Sequence, residues 1–148
     1  MADIVSKEVR SKMMSGIKGK NTKPEIMIRH RLFAMGFRYR LHARDLPGNP
    51  DLVFPKYRAV IFVNGCFWHG HNCHLFKWPT TNADFWKDKI HKTICNDSKK
   101  TSQLIESGWR VFKVWECSIK NRLQYVDEVV LNISKWLVSD EQSGELKL

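Results

Sequence analysis

The sequence predicts an α/β fold: one domain with a central mixed β-sheet flanked by helices. Three observations carry this. Two short apolar runs, 51–54 and 59–63, lie either side of Pro55-Lys56-Tyr57-Arg58 and read as a β-hairpin. A further run, 109–115, alternates as a core strand does. Amphipathic helical periods lie before, between and after these strands, the order expected of helices packed on a sheet. At 148 residues the chain is long enough for one such domain with a real core.

Taken in order, a first helix is expected within residues 6–17, weakened by Gly16. Thr22-Lys23-Pro24-Glu25 fits a capping box with proline in the first turn. The helix it opens, about 24–35, places Ile28, Leu32 and Met35 on one face, and Gly36 is its stop. Residues 37–41 alternate apolar and basic side chains like an edge strand, and the stretch Asp45-Leu46-Pro47-Gly48-Asn49-Pro50 is a turn-rich loop. If the hairpin turns around Tyr57, Asp51 faces Val63; a one-residue slip would put Phe62 there. Thr80, Thr81 or Asn82 can cap a long helix over 83–107, with Trp86, Ile90, Ile94, Leu104 and Ile105 as its apolar stripe and Gly108 as its end. A last helix, 123–137, carries Val126, Val130, Ile133 and Leu137 inward. The expected organisation is a basic arm and helix over 1–20, a body over 21–138 and a flexible polar tail over 139–148.

The net charge of +10 is unevenly spread. Residues 1–40 carry ten Lys/Arg against three Asp/Glu, whereas 127–148 carry two lysines against five acids. A basic front of this kind suits a polyanionic partner, although charge alone fits a solubilising run as well. No apolar stretch approaches the roughly 18 residues of a membrane span and no secretory leader opens the chain, so a cytoplasmic location is expected. In that compartment four cysteines point to metal binding or burial before disulfides.

Chemistry concentrates in the run Asn64-Gly65-Cys66-Phe67-Trp68-His69-Gly70-His71-Asn72-Cys73. Cys66, His71 and Cys73 offer three ligands from one loop, and Cys117, at the end of the 109–115 strand, is the expected fourth. A Cys₃His set closes a tetrahedral shell, which marks a zinc ion as structural. Cys95, mid-helix near Ile90 and Ile94, reads as a packed small hydrophobe. His69 is left over on the clamped loop, either a proton-transfer group near neutral pH or a solvated loop residue.

Asp51, after Pro50, places a carboxylate at the strand end beside that loop, where the Val63 carbonyl is also expected. Oxygen donors of this kind suit Mg²⁺. Glu25 is a candidate second acid, although its position fits a capping-box glutamate at least as well. The Glu-x-Lys that many nucleases carry on the next strand is missing from Ile61-Phe62-Val63-Asn64. Phe67 and Trp68, with Trp86 beyond the loop, can form an apolar wedge that enters a base stack, while Trp109 and Trp115 suit core packing.

Several segments together resemble the very-short-patch-repair (Vsr) endonucleases. They are Arg10-Ser11-Lys12, Leu46-Pro47-Gly48-x-Pro50-Asp51, Val60-Ile61-Phe62-x-x-Gly65-Cys66-Phe67-Trp68-His69-x-His71-x-Cys73, Phe85-Trp86 and Gly108-Trp109-Arg110-Val111 through Val114-Trp115-Glu116-Cys117. The match runs in order from about residue 5 to 137. It implies a restriction-endonuclease-like domain with a structural zinc, nicking one strand of double-stranded DNA 5′ to the thymine of a T:G mismatch left by 5-methylcytosine deamination.

By this resemblance Asp51 is a Mg²⁺ ligand with the Val63 carbonyl, His69 transfers a proton, and Glu25 is a supporting acid or base. Cys66, His71, Cys73 and Cys117 hold zinc. Phe67, Trp68 and Trp86 form a major-groove wedge, and the N-terminal helix, with Lys12 and Met14, crosses the minor groove. A monomer is expected, linked in function to a cytosine-5 DNA methyltransferase and to downstream repair proteins. Val63 and Asn64 depart from the threonine and histidine of the family pattern: a carbonyl survives the first change, and the second removes an imidazole, leaving Asn64 to hold a water or phosphate. Gly70 and Asn72 replace non-ligand histidines and are expected to cost little. The rival readings are a zinc-stabilised DNA-binding module without catalysis and a restriction-type enzyme cutting both strands.

Overall fold

The computed structural model describes residues 23–73, 76–119 and 125–146; the expected first helix and the basic arm, with Lys12 and Met14, lie outside them. Five strands form one sheet in the order β1 (Arg40–Leu41), β2 (Leu52–Phe54), β3 (Ala59–Asn64), β4 (Arg110–Trp115) and β5 (Ser143–Leu146). The first three run antiparallel to their neighbours, while β3, β4 and β5 are mutually parallel. Three helices accompany them: α1 (Lys23–Ala34), α2 (Ala83–Glu106) and α3 (Val126–Leu137). The expected α/β domain with a mixed sheet is thus the observed one.

Alternation along the strands gives each face of the sheet its own core. On one face Leu52, Phe54, Ile61, Phe112 and Val114 pack with Ile28 and Leu32 of α1 and with Val126, Val130, Ile133 and Leu137 of α3. On the other, Val53, Val60 and Val111 pack with Leu104 of α2 and Ala43. Met35, expected on the inner face of α1, is half exposed because the helix stops at Ala34. On α2, Ile90 and Leu104 are buried but Ile94 is 40% exposed.

The hairpin register departs from one expectation. Leu52, Val53 and Phe54 face Ile61, Val60 and Ala59, which puts Asp51 beside Phe62 and not Val63. Pro55–Tyr57 forms a 3-10 turn closed by Arg58 in the left-handed region, so four residues make the connection. A four-residue loop centres between Lys56 and Tyr57, and half a residue of displacement moves the whole ladder by one.

The polar end of the chain is a second correction. Ser143–Leu146, expected in the flexible tail, pairs in parallel with Val111–Val114. The Arg110 guanidinium explains the return: it donates to the carbonyls of Trp136 (2.6 Å) and Leu137 (3.1 Å) at the end of α3 and to that of Glu141 (2.9 Å). A cation at a helix C-terminus satisfies otherwise orphaned carbonyls. Gly144 lies so near Phe112 that a Cβ would stand 2.5 Å from the ring, so only glycine lets β5 approach.

Candidate active site and metal centre

Strands β3 and β4 are parallel neighbours in register, Asn64 beside Trp115, so their carboxyl ends open at the same level. Two residues further along each chain stand Cys66 and Cys117, both fully buried. The β3-to-α2 loop then folds back, with the His71 amide donating to the Cys66 carbonyl at 2.9 Å. One sulfur or nitrogen from each of Cys66, His71, Cys73 and Cys117 falls within a sphere of mutual distances no longer than 4.8 Å. Sulfurs around a tetrahedral zinc with 2.3 Å bonds lie about 3.8 Å apart, so this set needs little adjustment to close on an ion. The Cys117 amide donates to Cys66 Sγ at 3.3 Å, and the His71 ring stacks on Trp115 at 4.1 Å, which fixes both ligands in orientation. Burial raises the Cys66 thiol well above its ordinary range, against the pull of the Cys117 amide, and Cys73 and Cys117 add to the rise. A buried cluster of thiols becomes comfortable as thiolates only around a cation. The four sequence-predicted ligands therefore meet and can hold a metal ion; Cys95 is exposed on α2, contrary to the burial expected of it.

A second cluster forms on the β2 side of β3, near the same carboxyl end of the strand. His42 follows β1, and its amide donates to the Asp51 carbonyl at 3.0 Å, so the β1–β2 ladder sets the two side by side. From α1, Glu25, 1% exposed, reaches the same point. Its Oε2 accepts both Arg29 Nη1 at 2.7 Å and His42 Nε2 at 2.8 Å. Glu25, His42 and Asp51 offer donor atoms within 4.8 Å of one another and can hold a metal ion. Glu25 is therefore built into this cluster: its Arg29 contact is an ordinary i,i+4 helix pair, whereas His42 reaches it from another element. Asp51 Oδ2 accepts the Val63 amide at 2.7 Å, so Val63 touches Asp51 despite the shifted register. Because a strand residue's amide and carbonyl point to the same side, the Val63 carbonyl also faces the Asp51 side. Burial pushes the Asp51 carboxyl up to about 7; the Val63 amide opposes this, the neighbouring Glu25 adds to it, and His69 opposes it more weakly.

Asp51, Val63, Asn64 and His69 line one cavity of about 280 Å³, together with Asp97, Lys100 and Thr101 of α2 and Lys113 of β4. His69 is not a solvated loop residue: its Nδ1 donates to Asp97 Oδ2 at 2.6 Å. That bond fixes the tautomer and leaves Nε2 as the nitrogen free for proton transfer. Asn64, 6% exposed, sits where the loop leaves β3 and faces the same space.

His42 and Asp97 carry no local signal, since one follows a two-residue strand and the other lies mid-helix among polar residues. Only the β1–β2 pairing and the seating of α2 on the loop reveal them. That seating depends on Gly70, at φ +62°, where a Cβ would stand 2.7 Å from both Ile90 and Ile94. The change to glycine expected to cost little is thus a close-packing requirement in this chain.

Phe67, Trp68 and Trp86 form one aromatic group, with ring centroids 5.2, 5.5 and 5.8 Å apart. Phe85, 58% exposed, and Phe76 extend it, and Lys89 lies within 6 Å of three of its rings. This group stands beyond the metal loop, on the same end of the sheet as the cavity.

Comparison with known proteins agrees with this arrangement. Residues 2–75 match the model of the family described as DNA mismatch endonuclease Vsr. DNA mismatch endonuclease Vsr of Escherichia coli K12 is 40% identical over 147 residues, spanning 99% of this chain and 94% of that protein. Type II nicking enzyme V.XorIIP of Xanthomonas oryzae pv. oryzae is 45% identical over 121 residues, or 82% and 89% of the two chains. Among solved structures, the catalytic domain of homing endonuclease I-Bth0305I superposes with a TM-score of 0.51 at 24% identity, covering 80% of this chain and all of that one, a likeness of fold. The chain belongs to the Vsr family of DNA mismatch endonucleases.

Proposed function

We propose that this enzyme nicks one strand of duplex DNA on the 5′ side of the thymine in a T:G mismatch, the lesion left by deamination of 5-methylcytosine. One observation carries the reading: Asp51, Val63, Asn64 and His69, drawn from two strands and a loop, line a single cavity on the end of the sheet that also bears the aromatic group. Family membership and mismatch-named relatives support the choice of substrate.

In this reading Asp51, with Glu25 and His42 beside it and the Val63 carbonyl on its side, holds Mg²⁺. When bound there, Mg²⁺ supplies Lewis-acid stabilisation of the charge that develops on the scissile phosphate. Arg29 and His42 orient Glu25 by occupying one of its oxygens. His69 moves a proton through Nε2, and Asp97 stabilises the imidazolium that forms. Asn64 orients water or a phosphate oxygen at the cavity mouth. Cys66, His71, Cys73 and Cys117 hold a structural zinc that keeps His69 at one side of its loop and Phe67 and Trp68 at the other. Phe67, Trp68 and Trp86 wedge into the base stack, and the basic arm, with Lys12 and Met14, grips the backbone. The protein acts as a cytoplasmic, DNA-associated monomer, downstream of a cytosine-5 methyltransferase and ahead of repair synthesis.

An Asp51→Ala protein should retain its affinity for T:G duplex and lose nicking by at least about a thousandfold. Nicking at the parent rate would overturn the assignment. Equal cleavage of matched and mismatched duplexes by the parent would overturn the substrate, and retention without nicking under any divalent cation would favour a binding module.

A further inference from the structure

The strand segment that ends at the cavity, Ile61-Phe62-Val63-Asn64, offers no cation to a bound phosphate. We infer that Lys113, on the neighbouring strand, supplies that cation as a further phosphate-facing catalytic residue; this rests on the nicking reading above. Lys113 stands beside Phe62 in the β3–β4 register, one position from the Val63 level at which Asp51 is held. Residues side by side in parallel strands share a face, so Lys113 projects to the α2 side with Phe62, where the cavity lies.

The walls identify its place more closely. A second cavity, of about 380 Å³, continues past His69 along α2. The two cavities share only His69, Asp97, Thr101 and Lys113. At that junction Asp97 and His69 are occupied with each other at 2.6 Å, and the Thr101 hydroxyl donates to the Asp97 carbonyl at 2.8 Å. Lys113 is the one permanent cation at the junction, and among the described residues it makes no ion pair. The Lys113 ammonium makes no ion pair among the described residues, although Glu145 of β5 is its cross-strand neighbour, and a phosphodiester threading both cavities past His69 would bring it an anion. Lys100 is the other cation in the first cavity, but it lies on the helix and does not border the second. The role assigned to Lys113 is electrostatic: it stabilises negative charge on the non-bridging oxygens as the attacked phosphate gains charge.

The test compares the parent, Lys113→Gln, Lys113→Arg and, as a matched loss of charge, Lys135→Gln on the exposed outer surface of α3. Single-turnover nicking of T:G duplex in Mg²⁺ is read beside duplex affinity measured in Ca²⁺. Lys113→Gln should slow nicking about a hundredfold or more with affinity changed less than about threefold. Lys113→Arg should recover part of the rate, and Lys135→Gln should nick as the parent does. Parent-like nicking by Lys113→Gln, or an equal loss in Lys135→Gln, overturns the inference and leaves the nicking function standing. Should the parent itself fail to nick, the function falls, and phosphorus NMR of inorganic phosphate decides the lysine separately. Broadening by the parent and not by Lys113→Gln supports an anion site; equal broadening by both overturns it.

Discussion

The two clusters at this end of the sheet are built on opposite principles. Cys66 and Cys117 follow the ends of two parallel strands and, with Cys73 and the imidazole of His71 from the loop, form a thiol-rich set in which two of the four have no exposed surface. Glu25, His42 and Asp51 are hard or borderline donors beside a cavity, with an imidazole and two lysines on its walls. A closed set of four invites a permanent ion and leaves no position for substrate. An open set that keeps a carboxylate near a cavity leaves room for water and phosphate. The contrast teaches a division of labour: one cluster stores folding energy, and the other keeps a destabilised acid available for chemistry. Each can be broken without breaking the other.

The largest effect should come from the closed cluster. Cys117→Ser removes one of four ligands and leaves the buried Cys66 thiol and the partly buried Cys73 thiol around a weakened site, which should cost on the order of 5 kcal/mol of folding stability. That is a large share of what a domain of this size has to lose. Thermal unfolding with zinc content measured on the same sample checks it. If Cys117→Ser melted as the parent does while losing its metal, the cluster would not be the staple argued here.

The open cluster should respond to pH in the reverse sense from an ordinary paired aspartate. The Asp51 carboxyl is raised from 3.8 to about 7, chiefly by burial. Between those values the folded protein holds a proton that the unfolded chain has released, so its stability must fall as pH rises. The contribution is fully present below about pH 3.8 and gone above about pH 7, and its upper bound is about 4 kcal/mol. Denaturant titrations of magnesium-free protein across this window should show the decline, and saturating Mg²⁺ should flatten it by binding the ionised form. Asp51→Asn should remove it. A magnesium-free stability that rose over the same window would show that Asp51 is ionised throughout.

The closed cluster was largely legible in the sequence, and the open one only in part. Cysteines are few and their chemistry narrow, so three ligands on one loop announce themselves, and Cys117 follows once β3 and β4 are parallel neighbours. Asp51 and His69 were legible for the same reason, each beside a marked turn or ligand. His42 and Asp97 were not, because nothing local distinguishes them from solvated residues; one depends on a ladder only two residues long and the other on how a 24-residue helix lies. Register was illegible at the level of one residue, since Pro55-Lys56-Tyr57-Arg58 does not declare where its turn centres. The order of Ser143–Leu146 was hidden for a further reason: its polar residues pair through the backbone, and the Arg110 clamp that returns the chain lies some thirty residues earlier.

The aromatic group beyond the loop gives the smallest predicted effect and the sharpest test of what the closed cluster is for. If the metal only staples the fold, Phe67, Trp68 and Trp86 are a satellite core, and truncating one should cost stability and nothing else. If the loop is a mount, the rings are held for DNA. Trp68 is only half buried and meets Phe67 and Trp86 edge to face, contacts worth about 0.5–1.5 kcal/mol apiece in a protein. A ring entering a base stack is worth a further 1–3 kcal/mol per base on the DNA side. Trp68→Ala should therefore lower affinity for T:G duplex by about tenfold to a hundredfold while lowering affinity for the matched duplex much less. A mismatch is already weakly stacked, and the wedge has most to gain there. Anisotropy titrations of both duplexes, at one salt concentration and with melting recorded in parallel, read the two outcomes together. A loss of melting temperature with an unchanged ratio of the two affinities would return these rings to the core and leave the cysteine-rich loop a staple.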